Sequence, residues 1–137
     1  MPGKVEHLNP DGLHRNPAYS QAIAVSGTAR TIIYVGGQNA VDENGEVVGK
    51  GDIGAQSQRA IENVQIALAA GGAGIEHVVK WNVYIVHGNP LLPGFEAFQK
   101  AWGDRSNPPT ITGLFVVALA HPDYLVEIDA IAVVPET

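Results

Sequence analysis

Leu125-Val126-Glu127-Ile128-Asp129-Ala130-Ile131-Ala132-Val133-Val134 decides how the rest of the chain is read. It holds neither Gly nor Pro and is rich in β-branched residues, so it reads as one long strand. Successive side chains of a strand point to opposite faces, which puts Glu127 and Asp129 on the same face as Leu125, Ile131 and Val133. The opposite face is wholly apolar, and a strand apolar over most of both faces is covered on both. Residues 111–119 read as a second strand of this kind, joined to the first at His121-Pro122-Asp123.

Cover for one face is found upstream. From Asp52 the apolar period lengthens from two to 3.6, with Ala60, Ile61, Val64, Ala67 and Leu68 forming a stripe. This is a first helix, with Asp52 as N-cap and Gly71-Gly72 as its stop. Residues 91–102 predict a second, with Phe95, Phe98 and Trp102 on one face and Asn107-Pro108-Pro109 closing it. Between the helices, residues 78–86 read as a strand ending at Gly88-Asn89-Pro90. Nearer the N-terminus, residues 21–25 and 31–35 are β-prone runs separated by Ser26-Gly27-Thr28, a predicted hairpin. With the turn Asp42-Glu43-Asn44-Gly45 and the run 46–48 they read as a meander, and residues 1–18 as an irregular lead-in. The expectation is one α+β domain over residues 1–137. Two helices cannot cover both faces of its sheet, which predicts that other copies of the chain cover the second.

Composition narrows the function. The chain has 137 residues, 45% hydrophobic and only 16% charged, against about 25% charged in a typical domain. So little charge again suits a partly covered surface. With 8 Lys+Arg against 14 Asp+Glu the net charge is -6, which repels phosphate backbones, so no nucleic-acid partner is expected. There is no cysteine, hence no disulfide, thiolate nucleophile or Cys-containing zinc site. No apolar run reaches membrane-spanning length and the N-terminus lacks a signal-peptide core, so no membrane partner and a cytoplasmic location are expected. His7, His14, His77, His87 and His121 show no metal-ligand spacing, and no metal is expected.

Three features bear on chemistry. Glu127 and Asp129, side by side among apolar neighbours, suit a proton donor or a water-orienting group; a solvated sheet face or pairing with Lys or Arg is the simpler explanation. Gly36-Gly37-Gln38 ends an apolar strand, where glycines permit either close approach of a ligand or a bulge. Gly113, inside a β-branched and aromatic strand, poses the same alternative. Gly71-Gly72-Ala73-Gly74 ends a helix and reads as a cap, not a phosphate loop.

The order of these features resembles a known family. Asn16-Pro17-Ala18-Tyr19-Ser20-Gln21-Ala22 is followed by Gly36-Gly37-Gln38, then by residues 56–63 entering a helix that ends Ala70-Gly71-Gly72. His77-Val78-Val79-Lys80 and Val126-Glu127-Ile128-Asp129-Ala130-Ile131-Ala132-Val133 complete the set. It closely resembles the RidA or YjgF-like reactive intermediate deaminases, also labelled endoribonuclease L-PSP. The resemblance implies a chorismate-mutase-like sheet backed by two helices, a homotrimer closing a central barrel, and pockets between subunits. In the deaminating members water hydrolyses reactive imines and enamines without a cofactor. Tyr19 then matches the pocket aromatic, Gly37 (flanked by Gly36 and Gln38) a backbone contact, Glu127 the acid that orients the water, and Gly113 the carbonyl that helps hold it.

The chain departs from the pattern at Pro109-Thr110-Ile111-Thr112, where the deaminating members carry Pro-x-Arg-Ser/Thr. Ile111 replaces the arginine that clamps a substrate carboxylate, and Phe95 stands where an asparagine is common. The implied pocket is apolar. The resulting expectation is a RidA-like enzyme that adds water to an imine, enamine or related carbonyl compound; the alternative is a non-catalytic, small-molecule-binding or chaperone-like trimer.

Overall fold

The computed structural model describes residues 1–13 and 16–136. His14 therefore lies outside the described residues. In chain order the elements are β1 (Lys4–Leu8), β2 (Ala22–Ser26), β3 (Arg30–Gln38), α1 (Ile53–Ala70), a single 3₁₀ turn (Ile75–His77), β4 (Val78–Val86), α2 (Leu92–Trp102), β5 (Thr110–Val116) and β6 (Val126–Pro135).

Four strands form the main sheet in the order β3-β6-β4-β5. β6 is antiparallel to both neighbours, and β4 and β5 are parallel. β3 and β4 thus run the same way on either side of β6. Parallel strands need crossovers, which α1 supplies between β3 and β4 and α2 between β4 and β5. Asp52 caps α1 as expected, its Oδ1 accepting from the Ala55 N–H at 3.0 Å. α1 packs across β6 and β3, and α2 packs against α1 and β4.

Beneath the helices lie Val126, Ile128, Ala130 and Ala132 of β6, with Trp81, Val83 and Ile85 of β4. The face of α2 bearing Phe95, Phe98 and Trp102 meets this layer. Phe98 stacks on Trp81 at 4.1 Å between centroids, Trp102 stacks behind it at 6.0 Å, and Phe95 tilts against Trp81 at 6.1 Å.

Two regions differ from the sequence reading. β2 does not turn back onto β3; it pairs with β1, so Lys4–Leu8 is a strand inside the expected lead-in. The N-terminus competes for the turn, because Met1 O accepts from the Thr28 and Ala29 N–H groups. Gly27 (φ +79°) also leaves no room for a Cβ, which would lie 2.7 Å from the Pro2 carbonyl carbon. The second difference is that β5 stops at Val116 and is not adjacent to β6, since β4 lies between them. Residues 117–125 must cross the end of β4, and that takes them out of the ladder.

Gln56 joins helix to sheet. It is fully buried on α1, where its Nε2 donates to Gly49 O (3.2 Å) and Asp123 O (2.9 Å) and its Oε1 accepts from Leu125 N (2.9 Å). Gln56→Leu strands these backbone groups without partners. We expect a loss of about 2–4 kcal/mol in urea unfolding at fixed protein concentration. A change below about 0.5 kcal/mol would show that water replaces the amide freely.

Candidate functional site

The site is organised by an irregularity between β3 and β6. Val35 pairs with Ala130 and Gln38 with Ile128, so β3 spends one residue more than β6 over this interval. The extra residue makes a bulge of Gly36-Gly37, stapled by Gln38 Nε2 donating to Gly36 O at 3.2 Å. Close approach and bulge, alternatives in the sequence, are here one feature. A Cβ on Gly37 would sit 2.6 Å from Cδ of Glu127, so glycine is needed for the carboxylate to lie against the strand.

Each acid has neutral donors of its own. Asn39 Nδ2 donates to Glu127 Oε1 at 3.3 Å. Asp129 accepts from Asn82 Nδ2 at 2.6 Å and from the Tyr84 hydroxyl at 3.0 Å. The pairing with Lys or Arg considered from the sequence is thus replaced by amides and a phenol. Desolvation pushes the Tyr84 pKa up, and the hydrogen bond to Asp129 and the charges of Asp129 and Glu127 push it further. Asn39, Asn82 and Tyr84 were missed in the sequence. Lys80, Asn82 and Tyr84 do fall at a period of two within apolar β4, and that is the signal that marks a polar patch on one face.

Around this patch the sheet face is apolar and open. Ile32 and Tyr34 are in register with Val133 and Ile131, and Leu114 with Tyr84; Tyr34 is 75% and Leu114 47% exposed. In a single chain nothing covers them.

The remaining sequence candidates lie around the edge strand β5. Ile111 is in register with Trp81 and Gly113 with Val83, so both look toward the helices, where Ile111 and Phe95 pack on the core. A Cβ on Gly113 would touch Leu91 at 3.4 Å. Thr112, in register with Asn82, shares the carboxylate face. Tyr19 precedes Ser20, whose N–H donates to Pro109 O at 3.0 Å and whose hydroxyl donates to Pro108 O; that places Tyr19 at the start of β5. Arg105, the nearest cation in sequence to Ile111, is occupied at the end of α2, donating to Trp102 O at 2.7 Å.

One chain therefore unites Gly36, Gly37, Gln38 and Glu127, but not these with Tyr19, Phe95, Ile111, Thr112 and Gly113. β4 separates β6 from β5, a gap of about 10 Å at normal strand spacing. Two clefts of the single chain, about 310 and 350 Å³, are lined by other residues, including His7, His77 and Arg105 in one and Arg59 and Asn63 in the other. No cluster of potential metal ligands occurs among the described residues.

Residues 12–134 match the family described as Endoribonuclease L-PSP. A RutC family protein of Pyrococcus abyssi is 38% identical over 115 residues, covering 83% of this chain and 84% of that one. Among solved structures, the Rid family protein YyfB of Yersinia pestis superposes with a TM-score of 0.80 at 28% identity, over 93% of this chain and 97% of its own. RidA of an Antarctic Psychrobacter gives 0.66 at 27% identity, over 85% and 88%.

The Tyr84 environment sets a pH dependence. Its phenol holds its proton more tightly folded than unfolded, so the Tyr84–Asp129 bond contributes stability that is complete below about pH 10 and fades as pH rises through the higher folded value. Titration of phenolate absorbance should show one of the four tyrosines ionising last, and Tyr84→Phe should remove that step. Persistence of the late step in the variant would assign it elsewhere.

Proposed function

This chain belongs to the endoribonuclease L-PSP family of Rid and YjgF-like proteins, and we propose that it is a cofactor-free enzyme adding water to a small imine, enamine or related carbonyl compound between subunits. The observation that carries the proposal is Glu127: a carboxylate tethered by Asn39 against a glycine bulge, beside a polar patch of Asp129, Asn82 and Tyr84 on an open sheet face. Such a group takes a proton from water as the oxygen attacks the C=N carbon. That proton passes to nitrogen to give the carbinolamine; Glu127 then takes the hydroxyl proton and hands it to the same nitrogen as the C–N bond breaks, so that a carbonyl and ammonia leave. An enamine tautomerises to the imine first. Proton and charge balance without a metal or organic cofactor.

Two further observations support an assembled trimer. The face bearing Ile32, Tyr34 and Leu114 is uncovered in one chain, and Glu127 is too far from the β5 edge for one chain to complete the site. In the proposed trimer the β5 edge of one copy, with Tyr19, Ile111, Thr112 and Gly113, closes against the Gly36-Gly37 bulge and Glu127 of the next. Ile111 and Phe95 present hydrocarbon, and Arg105 is engaged elsewhere, so the preferred substrate is neutral rather than a carboxylate. The net charge of -6 weighs against an RNA substrate. No helix among the described residues is long and apolar enough to cross a membrane, and we place the activity in the cytoplasm.

Sedimentation at micromolar concentration should give a trimer. Ammonia release from a panel of neutral imines and from 2-aminoacrylate should favour the neutral compounds, and Glu127→Gln should cost about 100-fold or more while leaving binding in place. A monodisperse monomer would remove the inter-subunit site. Binding without turnover across the panel would establish the binding-only trimer instead.

A further inference from the structure

Glu127 is held through a chain of contacts that begins on the flank of α1. Arg59 Nε donates to Asn63 Oδ1 at 3.1 Å. Asn63 Nδ2 donates to the main-chain carbonyls of Asn39 and Val41, both at 2.9 Å. Asn39 Nδ2 in turn donates to Val126 O at 3.1 Å and to Glu127 Oε1 at 3.3 Å.

Each amide has only one workable orientation. Asn63 faces two carbonyls with its nitrogen and an N–H with its oxygen, and Asn39 faces two acceptors with its nitrogen. Flipping either would set oxygen against oxygen. Both hydrogens of the Asn39 amide are thereby used, one on the main chain of β6 and one on the side chain that follows it. The bond to Val126 O ties the donor to the backbone that carries Glu127.

The two carboxylate oxygens are made unequal by this arrangement. Oε1 is taken by Asn39, whereas Oε2 is the atom nearest the missing Cβ of Gly37. Oε2 lies against Gly37 and accepts no hydrogen bond among the described residues. We propose that Asn39 is the positioning residue of Glu127: it occupies Oε1 so that Oε2 is the oxygen presented to the reacting water, and Asn63 sets the Asn39 loop from behind. The role rests on the reading of Glu127 as the base, and the test separates the two.

The experiment uses the full chain with Asn39→Ala, Asn39→Asp, Asn63→Ala and the double variant Asn39→Ala/Asn63→Ala. Asn39→Asp keeps the shape and removes the donor, so it serves if the alanine variant does not fold. Crystal structures should show the Glu127 carboxylate displaced from Gly37 in every variant. On whichever neutral imine the wild type converts, kcat should fall about ten- to hundred-fold with KM changed less than about two-fold, since misplacement of the base acts on the chemical step. The double variant should be no slower than Asn39→Ala, because Asn63 acts through Asn39. A carboxylate that stays against Gly37 without the Asn39 donor overturns the proposal, as does unchanged kcat. Losses that multiply in the double variant overturn the Asn63 part. If the wild type converts no imine, the reading of Glu127 as a base fails separately, and the crystallographic position of its carboxylate alone decides the role of Asn39.

Discussion

The placement of β6 between β3 and β4 is the constraint on which the rest depends. It fixes which residues of an almost uniformly apolar strand go under the helices and which face away. A slip of one residue would bury Glu127 and Asp129 in the core and expose Val126, Ile128, Ala130 and Ala132. The register is pinned where the strand begins: Gln56 binds the Leu125 N–H from α1, and Asn39 binds the Val126 carbonyl from the loop after β3. Side-chain amides on neighbouring elements, the buried Gln56 and the half-buried Asn39, thus do what the apolar pattern does only weakly.

The polar patch on the outer face follows the same economy. Carboxylates on a sheet face that other copies would cover in the proposed trimer must find donors inside the chain, because a buried charge without partners costs several kcal/mol. Asn82 and Tyr84 lie on β4 beside Asp129, and Asn39 reaches Glu127 across the bulge. Neutral donors hold the negative charges in place without cancelling them. That is useful for a base and would be lost with a lysine partner.

Both edges of the sheet carry residues of the proposed site, β3 through its glycine bulge and β5 through Ile111, Thr112 and Gly113. Exposed edges invite pairing with other strands unless they are bent or covered. The bulge bends one, and the proposed neighbours cover the apolar face between them. In the proposed trimer a divided site of this kind would exist only in the assembly, and activity would depend on subunit concentration.

Much of this was legible in the amino-acid order because it rests on local periodicity. The stripe of Ala60, Ile61, Val64 and Leu68 specifies a helix, Asp52 and Gly71 its ends, and the aromatic spacing of Phe95, Phe98 and Trp102 a buried helix face. The shared face of Glu127 and Asp129 follows from alternation alone. The alternation of a strand says nothing of its neighbours. Pairing of β2 with β1, insertion of β4 between β5 and β6, and the split of Phe95, Ile111 and Gly113 from Glu127 across the sheet were decided by tertiary structure. So were the contacts of Asn39 with Asn63, 24 residues on, and with Glu127, 88 residues on. Such partners are chosen by which backbone groups the packed helices leave unsatisfied, and that quantity exists only once the chain is folded.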